Sequence, residues 1–133
     1  WRTTLEVGRE HHLYNFHNLL KDNGYLIVAD NFLPNYNVND PKDRIRALHK
    51  FWDPYIEEKR RIGDVEGVRS FIYALAQAES GIMEYKTSLL VFESYAKEAD
   101  FMIVEKKELS KNIPDLGGYC IYVLKKYNPN LIK

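Results

Sequence analysis

A chain of 133 residues, 45% hydrophobic and 29% charged, is long enough for one domain with a real core and too apolar to be disordered. Nineteen Lys and Arg balance nineteen Asp and Glu, so no net field draws the chain to nucleic acid or an anionic membrane, and no apolar run nears the ~20 residues that span one. One cysteine, Cys120, excludes an internal disulfide and suits a reducing, cytoplasmic setting.

The amino end, Trp1-Arg2-Thr3-Thr4, has neither a signal-peptide pattern nor an initiator Met, which reads as a processed, excised or truncated chain. Residues 9–22 place Leu13, Phe16 and Leu20 on one helical face. Lys21-Asp22-Asn23-Gly24 breaks that helix, with Gly24 where a helix end favours a left-handed residue. The apolar run Tyr25 to Ala29 then reads as a strand buried on both faces, with Asp30 at its carboxyl end. Residues 33–39 are loop. Asp40-Pro41 reads as a helix cap followed by proline in the first turn, and Ile45, Leu48, Trp52 and Tyr55 continue at helical spacing. Asp53-Pro54 repeats the cap signature, so a break or kink is expected near Trp52.

Gly63-Asp64 opens a second helix carrying Val65, Val68, Phe71, Ile72 and Leu75 to about Glu79, ended by Ser80-Gly81. Ile82 to Thr87 reads as a short extended piece. Thr87 or Ser88 caps a helix with Leu89, Phe92, Ala96 and Ala99. Phe101–Val104 is strand-like and runs into polar residues. After a loop with Pro114 and Gly117-Gly118, Tyr119–Leu124 forms a second fully apolar strand, and the tail after Tyr127 is expected to fray. The last two strands pair most simply antiparallel, while the first and second, joined by a long helical crossover, run parallel.

Several of these phrases resemble class I S-adenosylmethionine-dependent methyltransferases. Residues 12–34, around Leu19-Leu20-Lys21-Asp22-Asn23-Gly24, are similar to the family's helix, "LLKPGG" turn and fifth strand, with Asp22 and Asn23 replacing Pro and Gly. Residues 84–109 are similar to its late helix and sixth strand, the usual "aGF" ending appearing as Ala99-Asp100-Phe101. Gly117-Gly118-Tyr119-Cys120-Ile121-Tyr122 looks like the seventh strand, which in the family inserts antiparallel between the fifth and sixth. The family's Gly-rich cofactor turn is missing, for none of the seven glycines forms a GxGxG pattern. The resemblance therefore implies an α/β fold, the C-terminal part of a Rossmann-like methyltransferase sheet. It would have three strands, one antiparallel to the others, with helices and a helical insertion over 40–80 as a substrate lid, in a single domain or fragment spanning 1–133.

The implied function is the acceptor-binding half of an enzyme that methylates a small molecule. S-adenosylmethionine would serve the complete protein and not bind this chain alone. The alternative is a non-catalytic binding or assembly module that keeps the same half-fold. Asp30 is the first candidate for a polar contact with the acceptor, against a plain turn-capping role. Asn31, Tyr36, Trp52 and Lys86 are the others. Phe51, Trp52, Tyr55, Phe71 and Tyr73 crowd the inserted helices, where they either wall an acceptor or simply pack helix on helix. Glu84 and Lys86 flank Tyr85 and point the same way in an extended piece. His11, His12 and His17 lack the i, i+3 or i, i+4 spacing of metal pairs, His49 lies far off, and no metal site is expected. The mixed run Glu57-Glu58-Lys59-Arg60-Arg61 reads as a solvated helix face, and Cys120 as a small buried hydrophobe. No Ser–His–Asp or Cys–His arrangement follows from spacing. The outer edge of the Tyr25 strand would lack a neighbour, so its partner is either a missing N-terminal half or a second copy.

Overall fold

A computed structural model describes residues 4–80 and 86–127. The extended piece around Glu84 and Tyr85, the end of the second helix at Gly81 and the tail beyond Tyr127 lie outside them. The elements in order are α1 (Thr4–Leu19), β1 (Tyr25–Phe32), α2 (Pro41–Arg61), α3 (Val65–Ser80), α4 (Leu89–Glu98), β2 (Phe101–Glu108), α5 (Ile113–Leu116) and β3 (Gly118–Lys126).

The architecture is α/β, a three-stranded antiparallel sheet with five helices among the described residues. Strand order is β1-β3-β2, and β3 runs antiparallel to both neighbours, so β1 and β2 share one direction. The β1–β3 ladder runs from Tyr25↔Lys125 to Phe32↔Gly118 without interruption. The β2–β3 ladder slips between Ile103 and Glu105, leaving Val104 as the extra residue of a bulge.

Side chains of β1 alternate across the sheet. Leu26, Val28 and Phe32 face a core with Tyr122 and Leu124 of β3, Phe101 of β2, Leu13 of α1 and Leu89, Phe92 and Ala96 of α4. Tyr25 and Ile27 are 58% and 68% exposed on the opposite face, which corrects the expected two-sided burial. Five consecutive apolar residues read alike whether one or both faces are covered. Here α1 and α4 cover one face, and no described element covers the other. The exposed face continues through the partners of Ile27 and Ala29, which are Val123 and Ile121.

Two further expectations are corrected. The left-handed residue before β1 is Asn23, at φ 62°, and Gly24 is not left-handed. Gly24 is instead required by close approach, since a Cβ there would lie 2.8 Å from the Lys21 carbonyl oxygen. Of the break or kink expected near Trp52, the break does not occur, for α2 runs as one helix from Pro41 to Arg61 with Pro54 inside it. Lys50 and Pro54 both lie on the exposed side, where water can serve the carbonyl that a proline four residues on leaves without its donor.

The helix starts follow the sequence. Asp40 accepts from the Lys42 N–H, Ser88 from the Val91 N–H and Asp64 from the Gly67 N–H. With Gly63 left-handed at φ 75°, α2 turns back into α3, and the pair buries a second core of Leu48, Phe51, Ile56, Leu75 and Ala78. Arg44 Nη1 ties the hairpin by donating to the Ala78 carbonyl at 3.0 Å, and His49 Nε2 meets Glu79 at 2.6 Å.

Candidate functional site

The hairpin leaves the sheet at the end of β1, where the two cores meet. Leu33 donates its N–H to the Thr87 carbonyl at 2.9 Å, and Leu33 and Ser88 form a parallel bridge that seats the start of α4 beside this end. Asn35 donates to the Pro114 carbonyl, and its own carbonyl accepts from Arg46 Nη2 at 3.0 Å. Gly117 fills the junction at φ 76°. A Cβ there would stand 2.7 Å from the Phe32 carbonyl oxygen and 2.8 Å from the Phe51 ring, so the close approach requires glycine.

Tyr36 packs against both cores from this junction. Trp52 lies on the hairpin side, its ring 5.5 Å from that of Phe51 and 5.6 Å from that of Phe71. Lys86 sets its ammonium 5.7 Å from the centroid of the same Phe51 ring, a cation–π contact. Phe51 thus joins Trp52 to Lys86, with Tyr36 packed on the same core. Much of the aromatic crowding over 51–73 goes into these ring-on-ring contacts within α2 and between α2 and α3.

Asp30 and Asn31 sit differently. The strand continues through both to Phe32, so Asp30 lies within the ladder opposite Cys120 rather than at its carboxyl end. Polar Asp30 and Asn31 read as a stop, but Gly118, Tyr119 and Cys120 supply partners that extend the pairing. The Asp30 carboxylate accepts from the Asn31 N–H at 2.7 Å, a local bond that fixes its rotamer. Asn31 lies on the exposed face opposite Tyr119.

Three buried polar atoms here lack a hydrogen-bond partner: Asn35 Oδ1, Trp52 Nε1 and Thr87 Oγ1. The sequence marks Asn35 only as loop and Thr87 only as a candidate cap, because an orphaned polar atom is a property of enclosure, not of residue type or spacing.

Elsewhere on the sheet, Tyr122 donates to Glu93 Oε2 at 2.8 Å, and Lys106 reaches the same oxygen at 3.2 Å. Burial, then the bond to Glu93 and its negative charge, push the Tyr122 phenol far above its ordinary value, so it stays a donor. Burial likewise raises the Cys120 thiol, only partly offset by Lys106, and keeps it from the reactive thiolate form. His17 packs edge-on against Phe101 with Nε2 3.1 Å from the Tyr127 carbonyl oxygen. Among the described residues no three His, Cys, Asp or Glu side chains are placed to hold a metal ion, and no helix is long and apolar enough to cross a membrane.

The glycines of the described residues lie at or within the following elements. Gly24 joins α1 to β1, Gly63 joins α2 to α3, Gly67 lies in α3, and Gly117 and Gly118 join α5 to β3. None lies between a strand and the helix that follows it, where backbone N–H groups would meet the cofactor. Comparison with family models, with curated proteins and with solved structures gave no match.

Proposed function

We propose that this chain is the acceptor-side half of an S-adenosylmethionine-dependent methyltransferase of class I that acts on a small molecule. The strand order carries the reading: β3, last in the chain, lies between β1 and β2 and runs antiparallel to both. That is the arrangement of the seventh strand between the fifth and sixth in the family this sequence resembles. Two turns support it. Asn23 and Asp100 stand where the family's phrases carry Gly, and both adopt the left-handed conformation, at φ 62° and 61°. Asn and Asp are the residues that visit it most readily after glycine.

On this reading the chain positions the acceptor and leaves the cofactor to another part of the complete protein. The hairpin α2–α3 acts as the lid, Trp52 and Phe51 supply the wall, and Tyr36 and Lys86 lie at its edge, with Asp30 and Asn31 on the strand below. Calorimetric titration with S-adenosylmethionine tests it. Residues 1–133 should give no binding heat, and the polypeptide of the complete reading frame should bind one equivalent. A stoichiometric micromolar site in residues 1–133 alone, or none in the complete polypeptide, would overturn the reading.

A specific observation favours the second reading, a non-catalytic assembly module. The edge of β1 away from β3 pairs with no described strand, and the face carrying Tyr25 and Ile27 is exposed. An edge whose Tyr25–Ala29 stretch is apolar and uncharged invites another strand. On that reading the chain sediments as a dimer at tens of micromolar, about the range where exposed surfaces associate. A stable monomer there sinks it.

A further inference from the structure

The backbone of β1 turns every second residue toward β3. Gly24 accepts from the Lys126 N–H at 2.8 Å, one step outside the Tyr25↔Lys125 pair. The even-numbered residues of β1 therefore point their N–H and C=O groups into the ladder, and the odd-numbered ones point theirs away from it. Of these, Asn31 gives its N–H to the Asp30 carboxylate at 2.7 Å, and Leu33, just beyond, donates to the Thr87 carbonyl. On the other side the chain turns through Asn23 in the left-handed conformation. Among the described residues the open part of this edge is thus Tyr25 to Ala29. It presents the N–H and C=O groups of Tyr25, Ile27 and Ala29, whose side chains are all exposed.

This edge is complementary to itself. Two copies meeting antiparallel about a two-fold axis at Ile27 set Ile27 against Ile27 and Tyr25 against Ala29. Every outward N–H and C=O of the stretch then finds a partner. On the exposed face a large ring lies beside a methyl group, and on the core face Leu26 lies beside Val28. Asp30 falls opposite Gly24, so no like charges meet. Lys125, its ammonium 5.8 Å from the Tyr25 ring centroid, faces Ala29 and Ile121 of the second copy across that ring. The neighbouring registers are worse. One needs the Asn31 N–H, which Asp30 already holds, and sets Asp30 opposite Leu26. The other needs Asn23, which lies outside the strand and is left-handed.

We propose that the chain associates with a second copy of itself through this edge. Two three-stranded sheets join into one of six strands, in the order β2-β3-β1-β1-β3-β2. This pairing rests on the assembly reading above and gives it a surface, a register and an axis.

Cysteine cross-linking and sedimentation of the whole chain test it. Paired Ile27 residues place their Cα atoms about 5.5 Å apart, within disulfide reach. Ile27→Cys should therefore oxidise to a covalent dimer, while the fully buried Cys120 stays reduced. Val123 lies on the same face opposite Ile27, and the Val123 residues of the two copies stand three strand spacings apart, about 14 Å. Val123→Cys should give no covalent dimer under the same oxidation. Ile27→Pro removes an outward N–H and none from the ladder to β3, a place where edge strands tolerate proline. One bond is lost from each copy, so the dissociation constant of the dimer should rise at least about tenfold with β3 amides still protected. Should Ile27→Pro fail to fold, the two cysteine variants decide. No covalent dimer in Ile27→Cys, equal cross-linking through 27 and 123, or an undiminished dimer in folded Ile27→Pro would overturn the edge pairing and leave the assembly reading standing. An unsubstituted chain that stays monomeric at roughly tens of micromolar would end both.

Discussion

The sheet core collects Leu26 and Phe32 from near one end of the chain and Tyr122 and Leu124 from near the other, whereas the hairpin core of Leu48, Phe51, Ile56 and Leu75 comes from one continuous stretch. The surfaces differ as well. Arg46 with Asp43, Arg60 with Glu57, Arg61 with Glu58 and Lys59 with Asp64 lace the hairpin. On the sheet the central polar group is the half-buried contact of Tyr122, Glu93 and Lys106. Non-local apolar packing resists pH and depends on a few large side chains. A local helical pair stands on caps and charges, each individually small. On the proposed reading the hairpin is a lid, and a unit of the second kind opens with few distant contacts broken.

The largest effect should come from the sheet. Tyr122→Ala removes a fully buried ring and should cost about 3–5 kcal/mol in chemical denaturation, by lost transfer energy and the cavity left behind. Hydrogen exchange separates the regions: β1 and β3 amides should lose more protection than those of α2 and α3. Equal loss in both would make them one cooperative unit and end the contrast.

Next is a gain confined to the hairpin. Pro54→Ala restores a donor to the Lys50 carbonyl and removes a helix breaker that lies on the exposed side. The substitution should stabilise α2 by up to about 3 kcal/mol, the difference between these residues in a helix interior. The gain should appear as slower exchange in α2 and α3 with β3 unchanged. A loss of stability would mean that the proline shapes the helix for a contact with the sheet.

The smallest effect is acid sensitivity. The Arg46 hydrogen bond, then the Asn37 N–H, hold the Asp43 carboxyl below its ordinary 3.8, and the Gly67 N–H followed by Lys59 does the same for Asp64. A carboxyl lowered in the folded state contributes fully above 3.8, and the contribution disappears as pH falls through its lower folded value. Hairpin amides should therefore lose protection below pH 3.8 before those of β3 do. Simultaneous loss would show that acid attacks the sheet first.

Local chemistry was readable where one residue decides the conformation. Asp40-Pro41 and Ser88 announce helix starts, and the strand order was expected from the resemblance and holds. Features that depend on what lies opposite were not readable. Ile27 looks like a buried residue until the second face proves uncovered, and Asp30 looks like a strand end until Cys120 pairs with it. Pro54 reads as a break until its missing donor falls on the water side. For the site, Trp52 and Lys86 were named, but Phe51 as the ring joining them and the orphaned oxygen of Thr87 emerge only from enclosure.

The pairing of Tyr25 with Lys125 closes a loop of roughly a hundred residues, which sets the order in which the molecule can assemble. The hairpin and the α4–β2–β3 stretch need only nearby partners and can form early. β1 is synthesised before β2 and β3, and its described ladder waits until β3 leaves the ribosome. Until then Leu26, Ile27 and Val28 lack their partners on β3, and pairing across so long a loop is the kind of contact that slows folding. Losing the final strand would release both remaining strands at once.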